Sequence, residues 1–461
     1  MAHFGVVAPA FYSHYNAMAA LGAELAARGH RVTFLHQPDA GAHLKGLPLG
    51  FHALGAATHP AGSLAASVRR AANPGGPLGL RRVIQDMVRT TDMLCRELPP
   101  AIEALGIDFL LCDQMEAAGA LVAEAMKLPF VSVANALPVN REPGIPLPVM
   151  PFAYEDSERA RHIYQGSTRV YDWLMAPHAE VIEAHARRFG LGPRRALHDC
   201  LSPLVQVSQT TETFDFPRRD LPPHFHHVGP LRFSTASAGA ASTSGKQAMP
   251  PVAPGRPFVF ASLGTLQGGR YGLFRRIVRA CRRLDVQLLV AHCGGLDARQ
   301  EQALKDAGAD WVCAFAPQQE ALARADAVIS HAGSNTVMDA IAHRTPILGL
   351  PIAFDQPGAA ARIRHAGIGL TIAPHFATPG RIASRLRRLL DEPGFAQRMA
   401  PLAEDLARAG GTPRAADLIE KALGLKQEVS GLKQPGLTQP DLTPTRPASH
   451  EDTPQGVASL G

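Results

Sequence analysis

The residues best able to do chemistry stand at the ends of short apolar runs. His14, in the segment F-Y-S-H-Y-N, lies in the loop expected after the run 4–8. A neutral imidazole can take a proton from a hydroxyl near neutral pH. Asp113 follows a second run, 108–112. A carboxylate in contact with such an imidazole would fix its tautomer and stabilise the cation that forms. Position alone leaves another reading open, a loop histidine and an unrelated capping aspartate.

A denser constellation lies between residues 315 and 356. The run 327–330 ends in His331-Ala332-Gly333-Ser334-Asn335-Thr336, and a helical pattern follows. Free backbone N–H groups and the positive end of the helix dipole make such a turn a natural phosphate site. Asp339 falls on the first turn, where a carboxylate suits the dipole and would also suit the hydroxyls of a ribose. Asp355-Gln356 comes after the next apolar run, where ligands of open α/β sheets bind. Ser262-Leu263-Gly264-Thr265 follows the run 258–262. Gly264 permits close approach of backbone to a diphosphate, and it equally permits an ordinary tight turn.

Other chemistries lack their signatures. No G-x-G-x-x-G follows a strand, no phosphate-loop lysine motif is present, and no D-x-D offers ligands for a metal-bridged diphosphate. No His/Cys cluster has zinc spacing, so no metal and no cofactor is expected. A net charge of +6 over 461 residues, without a Lys/Arg tract, gives no reason to expect nucleic acid. The six cysteines are scattered with no C-x-x-C, which predicts a reducing compartment. The start of the chain lacks a basic n-region and a long apolar core, and no run of 18 apolar residues occurs. These features predict a cytoplasmic protein.

The elements that must position these residues alternate. Apolar runs at 4–8, 31–36, 108–112, 130–134 and 204–208 read as strands. Helical stretches are expected at 17–27, 117–127 and 154–188, with a proline-rich loop at 137–151. A second series has strands at 258–262, 287–292, 311–315, 327–330 and 347–350, and helices at 271–283, 379–390 and 395–423. Alternation of this kind predicts two doubly wound parallel α/β domains, 1–232 and 258–425, facing a central cleft. The Ser/Ala/Gly/Pro-rich 233–257 reads as a linker, and the last helix can return to the first domain. Residues 426–461, rich in Pro, Thr, Gly and Gln, are expected to be a disordered tail.

These motifs resemble those of the family-one, metal-independent, inverting UDP-glycosyltransferases of GT-B fold. Phe315-Ala316-Pro317-Gln318 matches the segment that opens the family's donor motif, with Phe315 in place of a tryptophan that stacks on uracil. The resemblance assigns Gln318 to the nucleoside, and His331, Gly333, Asn335 and Thr336 to the diphosphate. It assigns Asp339, usually Glu, to the ribose, and Asp355 with Gln356 to the sugar hydroxyls. His14 falls on the catalytic base and Asp113 on its acidic partner. Longer pieces resemble the bacterial zeaxanthin glucosyltransferases within that family: 90–99, 113–125, 140–143, 171–175, 260–268, 270–274 and 353–358.

The resemblance implies UDP-glucose as co-substrate and a carotenoid as acceptor, glucosylated at its ring hydroxyls to mono- and diglucoside. A polyene acceptor implies peripheral membrane contact through the N-terminal domain, with the Arg-rich stretch 64–98 as the expected surface. Three other readings stay open: transfer to another lipophilic alcohol such as a polyketide or sterol, a sugar-nucleotide epimerase on the same fold, and an inactive sugar-nucleotide-binding module.

Overall fold

Short runs of Val, Leu, Ile, Phe and Ala, buried on both faces, are what parallel strands between helical layers require. In the computed structural model, which describes residues 1–233 and 248–425, these runs build two sheets. The first contains β1 (His3–Val7), β2 (Arg31–His36), β3 (Gly50–Ala53), β4 (Phe109–Asp113), β5 (Phe130–Ala134), β6 (Gln206–Ser208) and β7 (Phe225–His227). The second contains β8 (Phe258–Ser262), β9 (Gln287–Ala291), β10 (Trp311–Cys313), β11 (Ala327–Ser330), β12 (Ile347–Gly349) and β13 (Gly369–Thr371). The spatial orders are β3-β2-β1-β4-β5-β6-β7 and β10-β9-β8-β11-β12-β13, with parallel pairing throughout. Together with the helices on them, this is the GT-B architecture.

The strand order decides where ligands can sit. It reverses between β1 and β4 in the first sheet and between β8 and β11 in the second. At such a switch point the connections leave in opposite directions and open a crevice at the strands' C-terminal ends. His14 and Asp113 follow or end β1 and β4, while Gly264 and His331 follow β8 and β11.

Several local expectations change. His14 stands in the first turn of the helix Tyr12–Ala27, which starts before the polar residues that read as loop. The Tyr15 ring, 1% exposed, anchors this turn against Phe34. The stretch 154–188 is two helices, Glu158–Leu174 and Ala176–Arg188, and 395–423 is also two, Gly394–Arg408 and Gly411–Ala422. The second break falls at Gly410 and Gly411, both with positive φ. The Arg-rich stretch 64–98 forms the helix Ser63–Ala72 and most of Pro77–Leu105, separated by a Pro/Gly turn. Residues 234–247 of the linker and all of 426–461 lie outside the described residues. All six cysteines are free thiols, and five are buried.

Several sets of contacts join the two sheets' layers. The helix Gly411–Ala422 lies on Tyr12–Ala27, where Arg28 donates to Asp417 and Glu420 at 2.7 Å each. Leu137 N–H donates to Asp355 Oδ2 at 3.3 Å. Arg362, fully buried in the helix Gln356–His365, donates to Asp215 at 2.6 Å and stacks over the Phe216 ring at 4.1 Å. Arg218 donates to the same carboxylate at 2.8 Å.

Burial pushes the Asp215 carboxyl up, but the Arg362 and Arg218 guanidiniums more than reverse this and hold it well below the usual carboxylate range. Asp215→Ala leaves buried Arg362 without its counter-charge and is expected to cost about 3–5 kcal/mol in chemical denaturation. Asp215→Asn should show the linkage. Its deficit in Tm is full above the ordinary carboxylate range and shrinks as pH falls toward the lowered native value, because the parent then loses the same interaction.

Candidate active site

The first half of the site is organised by Asp113, whose side chain is fully buried at the end of β4. Its Oδ1 accepts from Met115 N at 2.8 Å. Its Oδ2 accepts from Asn135 Nδ2 at 2.7 Å and from His14 Nδ1 at 2.6 Å. A carboxylate only accepts, so the His14 proton sits on Nδ1 and Nε2 keeps its lone pair. Asn135, just beyond β5, is itself fixed by Gln209 Nε2, which donates to its backbone and side-chain oxygens at 3.1 and 3.2 Å. Asn135 was missed in the sequence, although a polar residue at a strand's C-terminal end is the same signal that singled out Asp113. Glycine at 119 lets the helix Ala117–Met126 lie down directly after β4, since a Cβ there would come within 2.8 Å of Cys112 Sγ.

The second half gathers around the helix Ser334–Ala342. Its N-cap is Gly333, which brings no side chain to satisfy the first-turn N–H groups, an arrangement that can receive an anion. The preceding Ala332 has φ +66°, a left-handed conformation costing about 1 kcal/mol or more outside glycine. His331 lies between Gly264 and Gly333, where an added Cβ would stand 2.6 and 2.4 Å from its ring. Burial lowers this imidazole to about 4, so it is neutral at physiological pH. Thr265 is exposed in the short helix Gly264–Gln267.

The predicted donor residues are linked to one another. Gln318 Nε2 donates to Asp339 Oδ2 at 2.7 Å, and Thr336 Oγ1 donates to Gln318 Oε1 at 3.5 Å. Arg232 reaches in from the segment after β7. Its Nη1 donates to Asn335 Oδ1 at 3.0 Å, and its Nη2 donates to Asp339 Oδ1 at 3.0 Å. No sequence signal marked Arg232, because its partners lie more than a hundred residues away. Phe315 stands apart from this network in the loop after β10 and is 52% exposed, a large aromatic surface without cover.

Asp355 and Gln356 open the helix Gln356–His365. Asp355 Oδ2 accepts from Ser334 Oγ and from Leu137 N, both at 3.3 Å. Gln356 Oε1 accepts from Ile352 N and Ala353 N at 2.8 and 2.9 Å, which leaves its Nε2 as the group that can face a ligand. Phe354, with φ +57°, lies 6.3 Å from the Phe11 ring, which is also 6.3 Å from His14. The structure thus places His14, Asp113 and Asp355 on one crevice.

Burial alone would lower the His14 imidazole. The charge and hydrogen bond of Asp113, with the charge of Asp355, outweigh it and raise the group above its ordinary value. Burial likewise raises Asp355, against the Leu137 N–H and His14. In an NMR titration of the histidine ring protons, His14 should therefore titrate above an ordinary histidine. In Asp113→Asn, with burial no longer opposed by that charge, its titration should move to lower pH.

Comparisons with known proteins bear on the family and the fold. Residues 275–423 match the family model described as "Erythromycin biosynthesis protein CIII-like, C-terminal domain". The chain is 51% identical to a zeaxanthin glucosyltransferase of Pantoea ananas over 93% of its own length and 98% of that protein's. It is 45% identical to one of Pseudescherichia vulneris, over 93% and 100%. Among solved structures, the glycotransferase of kitacinnamycin superposes with a TM-score of 0.71 at 21% identity, covering 92% of this chain and 99% of that one. The glycosyltransferase VinC, solved in complex with DTDP, superposes with a TM-score of 0.62 at 20% identity, covering 92% and 100%. With its two switch-point crevices and near-complete alignment to these relatives, the chain belongs to the glycosyltransferases of GT-B fold, in the zeaxanthin glucosyltransferase family.

Proposed function

We propose that this enzyme transfers glucose from UDP-glucose to the ring hydroxyls of zeaxanthin, giving the monoglucoside and then the diglucoside. The observation that carries the reading is the His14–Asp113 pair, 2.6 Å apart at the first sheet's switch point, with Asp355 of the second half charging the same crevice. The acceptor hydroxyl gives its proton to His14 Nε2. Its oxygen bonds the anomeric carbon as the bond from that carbon to the diphosphate oxygen breaks, and UDP leaves with the electron pair. One displacement converts the α-linked donor to a β-glucoside. Asp113 stabilises the imidazolium.

Charge grows on the leaving diphosphate, and this chain offers the uncapped N-terminus of Ser334–Ala342 to meet it. Arg232 adds a guanidinium beside Asn335 and Asp339. Phe315 stacks on the uracil, Gln318 holds the nucleoside and Asp339 the ribose. His331, Gly333, Asn335 and Thr336 line the diphosphate, and Gly264 and Thr265 approach it from β8. Asp355 and the free Nε2 of Gln356 take the sugar hydroxyls. No metal or cofactor enters. The reaction belongs at the cytoplasmic face of a membrane, where a polyene acceptor dissolves. No helix among the described residues is long and apolar enough to cross that membrane.

Incubation with UDP-glucose and zeaxanthin, followed by mass spectrometry, should give zeaxanthin plus one and then two hexoses. Glucosylation of a sterol or polyketide panel in preference to zeaxanthin would redirect the acceptor reading. An epimerised sugar nucleotide without UDP release would remove transfer altogether. His14→Ala is expected to lower kcat by about 10²–10⁴-fold with little change in donor affinity. Arg232→Met is expected to raise the KM for UDP-glucose roughly tenfold or more and leave the KM for the acceptor unchanged.

A further inference from the structure

Four of the twelve large apolar side chains exposed among the described residues sit on one helix, Glu158–Leu174. Ile163 is 45% exposed, Val170 56%, Trp173 74% and Leu174 38%. At about 3.6 residues per turn they fall with Gly166 on one stripe. An adjoining side of the helix holds it to the protein through buried Ala160 and Tyr164. Scattered exposed apolar residues are ordinary, but a stripe that includes an open tryptophan is a docking surface.

The charges beside the stripe identify the occupant. Arg159, His162 and Arg169 lie within it or along its border, all exposed. Neither Arg159 nor Arg169 has an ion-pair partner among the described residues, whereas Arg161 is paired with Asp156, and Asp172 with Arg141. Glu158 is the acid on that border, in the helix's first turn. An apolar stripe edged by free cations and carrying a tryptophan suits an anionic lipid surface: the apolar groups enter the acyl boundary, the indole sits at headgroup level and the guanidiniums meet phosphate.

The helix hangs on the loop that leaves the site. That loop starts at Asn135, which bonds Asp113, and Leu137, which bonds Asp355. It then anchors the helix through Arg141 to Asp172 and through Tyr164 to Ala153 and Glu155. The stretch 64–98 is less suited to the role. Its Arg70 is committed to Asp86, and its exposed apolar residues are Leu78 and Leu80 at one helix end.

We propose that Glu158–Leu174 is the face by which this enzyme rests on an anionic bilayer, so that a membrane-dissolved acceptor enters beside the site. This rests on the reading that the acceptor is a polyene, and the test separates the two. The chain has two tryptophans, Trp173 and Trp311, so Trp311→Phe leaves Trp173 as the sole reporter. Adding phosphatidylglycerol-containing vesicles to the full chain should shift its emission to the blue, and the protein should float with them more than with phosphatidylcholine alone. Arg159→Gln with Arg169→Gln should lower partitioning by on the order of tenfold or more. Val170→Ser with Trp173→Ser, both at the surface, should abolish flotation and raise the KM for vesicle-embedded zeaxanthin, while transfer to detergent-dispersed zeaxanthin is unchanged.

An unshifted emission, or flotation lost only when Arg81 and Arg82 are changed to Glu, overturns the assignment. So does capture of the stripe by a protein without affinity for vesicles. Flotation through Trp173 without transfer to zeaxanthin would keep the surface and remove the acceptor reading. Transfer in detergent with flotation unaffected by the Val170 and Trp173 changes would do the reverse.

Discussion

A carboxylate removed from water must be surrounded by donors, and the first half of this site is arranged around that demand. Asp113 collects a backbone N–H from its own loop, an amide from the end of β5 and an imidazole from the helix after β1. Three segments are thereby brought into register at one point. The arrangement also sets the His14 tautomer, because a group that can only accept forces the proton onto Nδ1 and leaves Nε2 with its lone pair. Gln209 extends the chain of hydrogen bonds to Leu231 N, next to the residue whose guanidinium enters the other half.

The second half keeps a helix N-terminus open among polar neighbours, an arrangement suited to an anion. Glycine at the N-cap keeps the first-turn N–H groups uncovered, and glycine at 264 gives the neutral His331 ring its place. Backbone in a left-handed conformation at Ala332 and Phe354 marks where the fold holds the chain against its local preference, just before the helices Ser334–Ala342 and Gln356–His365. Arg232, Asn335, Asp339 and Gln318 satisfy one another in this structure. The polar groups of this half are thus aimed and compensated by one another.

The halves work together only if their crevices face. Arg362 with Asp215, Leu137 N–H with Asp355, and the helix Gly411–Ala422 returned onto Tyr12–Ala27 supply that alignment. The first two are polar and depend on geometry, while the returned helix also buries Ala415, Ala416 and Ile419 in the core beside Tyr12–Ala27. Asp355 belongs to this set and to the crevice, and the contact that aligns the halves also places a carboxylate's charge near His14.

The sequence by itself determined the alternation of apolar runs and helices, and with it two doubly wound sheets. Buried parallel strands must be continuously apolar, and β2, β5, β8 and β11 fall where such runs stand. It also determined the turn at 331–336, since glycine and small polar residues before a helix are a local signature. Less apolar strands such as β3 and β7 left little trace, and the start of the helix under His14 was hidden by polar residues that face solvent. Only the tertiary structure decided that His14 meets Asp113, that Asn135 and Arg232 join the site, and that the Gln356 carbonyl is spent on its own loop. These are encounters between segments 22 to 107 residues apart or choices among hydrogen-bond partners. Local pattern carries no record of either, because both are settled by how the sheets twist, where their order reverses and which buried polar groups need a partner.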